Sequence, residues 1–189
     1  MDTLRISQIQ FSASHTPNLN AKILEQNFKK TLKFKPHLIC TPECSNIITN
    51  DKNFLILNAS YQNTCPVLKM AKDFAKKNKV NINLGSLLLK VNNNRKLVNR
   101  SFFIDDHGVI KKTYDKIHMF DVKINNKERH QESSLFKAGN KIIFTKINNI
   151  KLGMTICYDL RFPNLYRQLA KKDCSIILVP AAFTRLTGK

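Results

Sequence analysis

Cys157 closes the run Gly153-Met154-Thr155-Ile156-Cys157-Tyr158-Asp159, where a strand-like stretch gives way to a turn ahead of a helix expected near Pro163. A side chain at such a junction lies beside backbone N–H groups that no helical carbonyl takes up, so a thiol there can act as a nucleophile next to ready-made donors. Taken alone, a cysteine so placed is more often core packing, because free cysteine behaves as a small hydrophobe. Metal chemistry is not expected: His15, His37, His107, His118 and His130 show no HxxxH spacing and no Cys/His cluster.

The elements around this junction can be read from periodicity. Leu4 to Phe11 is strand-like, and Ile23, Leu24, Phe28 and Leu32 recur at helical spacing before Pro36 stops them. Leu38-Ile39-Cys40 is a short apolar strand closed by Thr41-Pro42, whose loop carries Glu43. Thr64 is the expected N-cap of a second helix, with Pro66 in its first turn and Val67, Met70, Ala71 and Phe74 on one face. Strands follow at 82–91, 98–104 and 109–114, the last two joined by the turn Asp105-Asp106-His107-Gly108 and so antiparallel neighbours. The polar stretch 115–140 is longer than an ordinary loop, which marks it as functional, disordered or both. Strands at 141–147 and 151–156, a helix at 162–171 and a buried strand at 175–179 complete the pattern. Strands alternating with helices around a central hairpin indicate a layered α/β or α+β domain over 1–189, undivided by repeat or linker.

Composition narrows the function. The 189 residues carry 32 Lys+Arg against 13 Asp+Glu, a net charge of +19, which raises nucleic acid or an anionic membrane as a partner. Lysines are spread over the whole length, as Lys29-Lys30, Lys76-Lys77, Lys111-Lys112 and Lys171-Lys172, and no nucleic-acid-binding signature accompanies them. A compositional bias explains the charge better than a binding stripe does. Cys40, Cys44, Cys65, Cys157 and Cys174 are odd in number and form no CxxC pair, which fits a reducing compartment. With neither a leader nor an apolar stretch long enough to span a bilayer, the expected place is the cytoplasm.

Three separate segments then carry a resemblance. Thr41-Pro42-Glu43-Cys44, Tyr114-Asp115-Lys116-Ile117-His118-Met119-Phe120-Asp121 and Cys157-Tyr158-Asp159-Leu160-Arg161-Phe162-Pro163 resemble, in order, the glutamate, lysine and cysteine motifs of the nitrilase superfamily of carbon-nitrogen hydrolases. Gln131-Glu132-Ser133 resembles the segment that brings a second glutamate to the site, and Val179 to Thr184, including Phe183, the strand after the nucleophile helix. The wording of the lysine and cysteine motifs is most similar to the deaminated-glutathione amidase and omega-amidase branch. The resemblance implies an α-β-β-α sandwich and catalysis by Cys157, Glu43 and Lys116, with Glu132 and Tyr158 in support and Arg161 and Phe183 as candidate substrate contacts. His118 and Phe120 are expected to be structural or to wall the pocket, and Arg161 has an ion pair with Asp159 as its alternative.

Chemistry agrees with that implication. Hydrolysing an unactivated amide takes a strong nucleophile, a proton shuttle and a stabiliser for the tetrahedral oxyanion, and cysteine, glutamate and lysine supply them without a cofactor. A nearby ammonium is expected to lower the thiol pKa. The implied partner is a small amide, such as a dicarboxylic acid monoamide, with no nucleic acid or membrane and with association into homo-oligomers as in the family. Members of the family continue for very roughly another third of the chain, so the sandwich is expected to be incomplete at its C-terminal side. A weakly active or inactive remnant is therefore the alternative to a working amidase.

Overall fold

The computed structural model describes residues 3–91, 96–123 and 129–183. In chain order the elements are β1 (Ile6–Gln8), α1 (Pro17–Thr31), β2 (Leu38–Cys40), α2 (Lys52–Asn58), β3 (Ser60–Tyr61), α3 (Pro66–Asn78), β4 (Asn81–Lys90), β5 (Leu97–Ile104), β6 (Ile110–Asp115), β7 (Asp121–Lys123), β8 (Arg129–Gln131), β9 (Ile143–Ile147), β10 (Ile150–Met154), α4 (Pro163–Ala170) and β11 (Ile176–Leu178).

The first sheet runs β1-β2-β4-β5-β6, with β3 added to β4; β1, β2 and β4 are parallel, while β4, β5 and β6 are antiparallel. The second runs β11-β10-β9, and β7 and β8 form a separate hairpin. Alternation along β5 explains how one strand serves two interfaces, since successive side chains point to opposite faces. Val98, Phe102 and Ile104 meet Leu24 and Phe28 of α1 and Val67, Ala71 and Phe74 of α3, whereas Phe103 meets Leu152, Met154 and Leu178 of the second sheet.

On the outer side of the second sheet lies α4. Gly153 approaches it so closely that an added Cβ would sit 2.9 Å from Leu169 Cδ1, and Tyr166 OH is 3.3 Å from Thr155 Oγ1. Helices, sheet, sheet and helix thus stack as the expected α-β-β-α sandwich, and the second apolar cluster, between the sheets, includes Cys157.

Element identities follow periodicity, and the differences have local causes. β1 is shorter than the expected 4–11 because its ladder partner β2 offers only Leu38 to Cys40. Thr64 is not the N-cap of α3: Pro66 occupies the first helical position, Cys65 precedes it as cap, and the Thr64 hydroxyl donates to Tyr61 O. α2 is unanticipated, since only Leu55 of its seven residues is buried and no apolar stripe announces it. Its start is secured by the Asp51 carboxylate, which accepts the Phe54 N–H at 3.0 Å.

Candidate active site

The loop after β2 is pinned to an irregularity in β4. Pairing of β4 with β5 shifts register between Leu84 and Leu87, and the freed backbone turns toward the loop. Gly85 N–H donates to Thr41 Oγ1, Ser86 N–H to Pro42 O, Ser45 N–H to Ser86 O, and Cys44 N–H to Ser86 Oγ. A Cβ at Gly85 would lie 2.1 Å from Thr41 O and 2.5 Å from Pro180 Cβ, so only glycine lets these backbones meet. Cys44 itself is left-handed, at φ 56°. The result is a rigid seat for the Glu43 carboxylate, 7% exposed at the bottom of the site.

Four groups converge on that carboxylate. Oε1 accepts Asn99 Nδ2 at 2.9 Å and Lys116 Nζ at 3.1 Å; Oε2 accepts the Ala182 N–H at 3.0 Å. The fourth group is the thiol of Cys157, which also meets the Ala182 N–H. Lys116 follows β6 directly, its backbone held by Asn99 O and Gly139 N–H, and its ammonium also donates to Glu132 Oε1 and Oε2 at 3.1 and 2.9 Å. Glu132 is steadied in turn by the Phe120 N–H at 2.7 Å. Burial alone would push the Lys116 ammonium toward neutrality, but Glu43 and Glu132 outweigh it and hold its pKa above the usual lysine range.

Cys157 begins a short 3₁₀ turn, Cys157–Arg161, in the left-handed conformation at φ 47°. For a residue with a Cβ this costs about 1–2 kcal/mol, a strain typical of functional turns. Asp159, fully buried, anchors the turn: Oδ2 accepts the Ile156 N–H and the Tyr114 hydroxyl, and Oδ1 contacts His118 N–H and Nδ1. The expected lowering of the thiol pKa does not occur. Burial first, then the Glu43 charge, outweigh Lys116 and the Ala182 N–H and push the thiol up to about 12.

These features match a known family along nearly the whole chain: the carbon-nitrogen hydrolase family model aligns with residues 4–188. The chain belongs to the carbon-nitrogen hydrolases. It is 35% identical to a deaminated glutathione amidase of Dictyostelium discoideum over 98% of its own length, and 32% identical to that of Yersinia enterocolitica over all of it. In both cases it spans 66% of the relative, so this carbon-nitrogen hydrolase chain matches just under two thirds of those proteins. The crystal structure of the Caenorhabditis elegans NitFhit protein superposes with a TM-score of 0.89 at 30% identity, covering 100% of this chain and 46% of that one. An amidase from Nesterenkonia sp. AN1, at 18% identity and a TM-score of 0.81 over 96% of this chain and 68% of its own, shares the fold.

Of the residues anticipated for this carbon-nitrogen hydrolase, Glu43, Lys116, Glu132 and Cys157 form one contiguous cluster. Tyr158 stands beside it, its ring edge-on to Phe120 and Phe162, and His118 stacks on Phe162 at 3.6 Å. The alternative ion pair between Arg161 and Asp159 does not form: Asp159 is enclosed by Tyr114, Ile156 and His118, and Arg161 is exposed. Phe183 is exposed, one residue past the Ala182 N–H. Thr184 lies outside the described residues. Asn99, Asp159 and Ala182 were missed as site residues. Asn99 carried only a weak signal: with Arg100 and Ser101 it forms a polar interior in a strand whose two ends are apolar.

Among the described residues, no His/Cys/Asp/Glu group is arranged to hold a metal ion, and no helix is long and apolar enough to cross a membrane.

Proposed function

We propose that this chain hydrolyses a small linear amide to its carboxylate and ammonia through a thioester on Cys157. The observation that carries the reading is the Glu43 carboxylate, which touches the thiol on one side and the Lys116 ammonium on the other. With its pKa near 12 the thiol is protonated at neutral pH, so attack needs a base in contact, and Glu43 is placed to be one.

In the first step the S–H bond breaks, the proton passes to Glu43, and the sulfur pair forms the bond to the amide carbon. The carbonyl π pair moves onto oxygen. Lys116 holds that oxyanion, helped by the Tyr158 N–H, which lies in the first turn of the 3₁₀ segment where helical N–H groups have no carbonyl partner. Glu43 returns the proton to the departing nitrogen as the C–N bond breaks. A water that Glu43 deprotonates then cleaves the thioester, regenerating the thiol and releasing the acid. Glu132 keeps the Lys116 ammonium aimed.

An acidic substrate, of the dicarboxylic acid monoamide class, is the substrate we propose. The relatives named as deaminated glutathione amidases support it, and a chain of net charge +19 draws anions toward itself at low salt. Arg161 and Phe183 are the exposed side chains we assign to its far end. The contiguity of Cys157, Glu43 and Lys116 favours this reading over that of an inactive remnant. Free thiols throughout suit a reducing cytoplasm.

Ammonia release from deaminated glutathione and from α-ketoglutaramate, by folded protein and by Cys157→Ala, tests the proposal. Release that vanishes in the variant supports it; a folded wild type that releases none sinks it.

A further inference from the structure

Asn99 stands inside β5, 1% exposed, and holds both charged partners of the site at once. Its Nδ2 donates to Glu43 Oε1 at 2.9 Å, and its backbone carbonyl accepts the Lys116 N–H at 2.9 Å. Its other amide atom, Oδ1, is buried and finds no hydrogen-bond partner among the described residues. An unmet buried acceptor costs about 1–3 kcal/mol, and a leucine of similar volume would avoid that cost. The amide is therefore a poor choice for packing, and its donor end explains its presence.

What the donor does follows from the lone pairs of Glu43. Oε1 has two in-plane acceptor positions, and Asn99 and Lys116 fill both. Among the described residues Oε2 accepts the Ala182 N–H alone, which leaves one of its positions open, and because that same N–H also meets the Cys157 thiol, Oε2 is the oxygen on the thiol's side.

We infer that Asn99 is a positioning residue for the base: together with Lys116 it saturates Oε1, so that Oε2 alone takes the proton of Cys157. The inference rests on the proposed role of Glu43 as base. It adds that the two oxygens of the carboxylate are not equivalent and that an uncharged strand residue makes them so. The other ionisable groups in this neighbourhood are Cys44 on the same loop, Lys116 after β6, Glu132 beyond it and Cys157 on its turn.

Alkylation of Cys157 by iodoacetamide reads this without needing amide turnover, since the S–H proton goes to the base while the sulfur pair displaces iodide. The rate at Cys157 is followed by mass spectrometry of its peptide from about pH 5 to pH 9, in wild type, Glu43→Gln, Asn99→Leu and the isosteric Asn99→Asp. Wild type is expected to lose rate on the acid side as the base protonates, and Glu43→Gln to lack that limb. Without the Asn99 donor the charged form of the base is less favoured, so the acid-side loss of rate sets in at higher pH in Asn99→Leu and at higher pH still in Asn99→Asp. A merely structural Asn99 would lower the urea midpoint and leave the limb in place. A limb that Glu43→Gln removes but neither folded Asn99 variant moves overturns the inference alone. A wild-type profile that Glu43→Gln does not alter overturns the base reading and the inference with it.

Discussion

The Lys116 ammonium bridges two carboxylates, 3.1 Å from Glu43 Oε1 and 2.9 Å from Glu132 Oε2, with all three side chains largely shielded from water. Removing the cation leaves two acids facing each other without a counter-charge, the case in which breaking a buried pair costs about 3–5 kcal/mol. Lys116→Met should therefore lower stability by that order at neutral pH. The loss should shrink on acidification, as the stranded carboxylates take up protons. Urea unfolding at two pH values measures both, and equal losses at the two would speak against an electrostatic origin.

Gly85 of β4 leaves less than a methyl group of room beside the loop that carries Glu43. Gly85→Ala would drive a Cβ to 2.1 Å from Thr41 O and 2.5 Å from Pro42 O, both backbone atoms that cannot turn aside. Overpacking of this kind costs about 1–3 kcal/mol or more, and here it must also shift the seat of Glu43. A lowered thermal midpoint together with slower alkylation of Cys157 is expected; unchanged alkylation in a folded Gly85→Ala would mean that the loop yields without moving Glu43.

The left-handed turn at Cys157 separates chemistry from stability. Cys157→Ala should cut ammonia release by at least about 10³-fold while the chain stays folded. Cys157→Gly should be equally inactive but more stable than Cys157→Ala by up to about 1 kcal/mol, because glycine adopts φ 47° without strain. Chemical denaturation of the pair decides it. An alanine variant as stable as the glycine one would show that the turn stores no strain.

Buried thiols make stability fall at high pH. Cys40 and Cys157 are pushed from the ordinary thiol value of 9.0 up to about 12, chiefly by burial, and Cys44 is also raised. A raised folded-state pKa means the native chain keeps protons that the unfolded chain releases, so the contribution is whole below about 9 and is lost as pH climbs toward 12. Lys116, also raised, acts in the same direction. The urea midpoint should therefore decline steadily above pH 9, and less steeply in Cys40→Ala; a flat profile over that range would contradict the burial of these groups.

Much of this was legible in the order of residues, for a physical reason. Helical and strand periodicities report which face of an element is apolar, and that face is what α1, α3, β4 and β5 bury. The three motifs around Glu43, Lys116 and Cys157 are local, so their residues could be named before the fold was known. The two-layer pairing, with Phe103 on one sheet meeting Leu152 and Met154 on the other, agrees with the sandwich that those motifs implied.

Contacts between distant segments were settled only by the tertiary structure. Asn99 and Glu43 are 56 positions apart, and Ala182 and Glu43 are 139 apart. Nothing in the sequence around either residue announces that a strand amide and a loop N–H will divide one carboxylate between them. The thiol pKa shows the same limit: the residue types alone implied a cysteine activated by lysine. Burial and a touching carboxylate, properties of the packed molecule, raise it instead. Residue identity determined which groups could react; the desolvation and lone-pair occupancy that decide how they react arise only where chain segments far apart in sequence close around them.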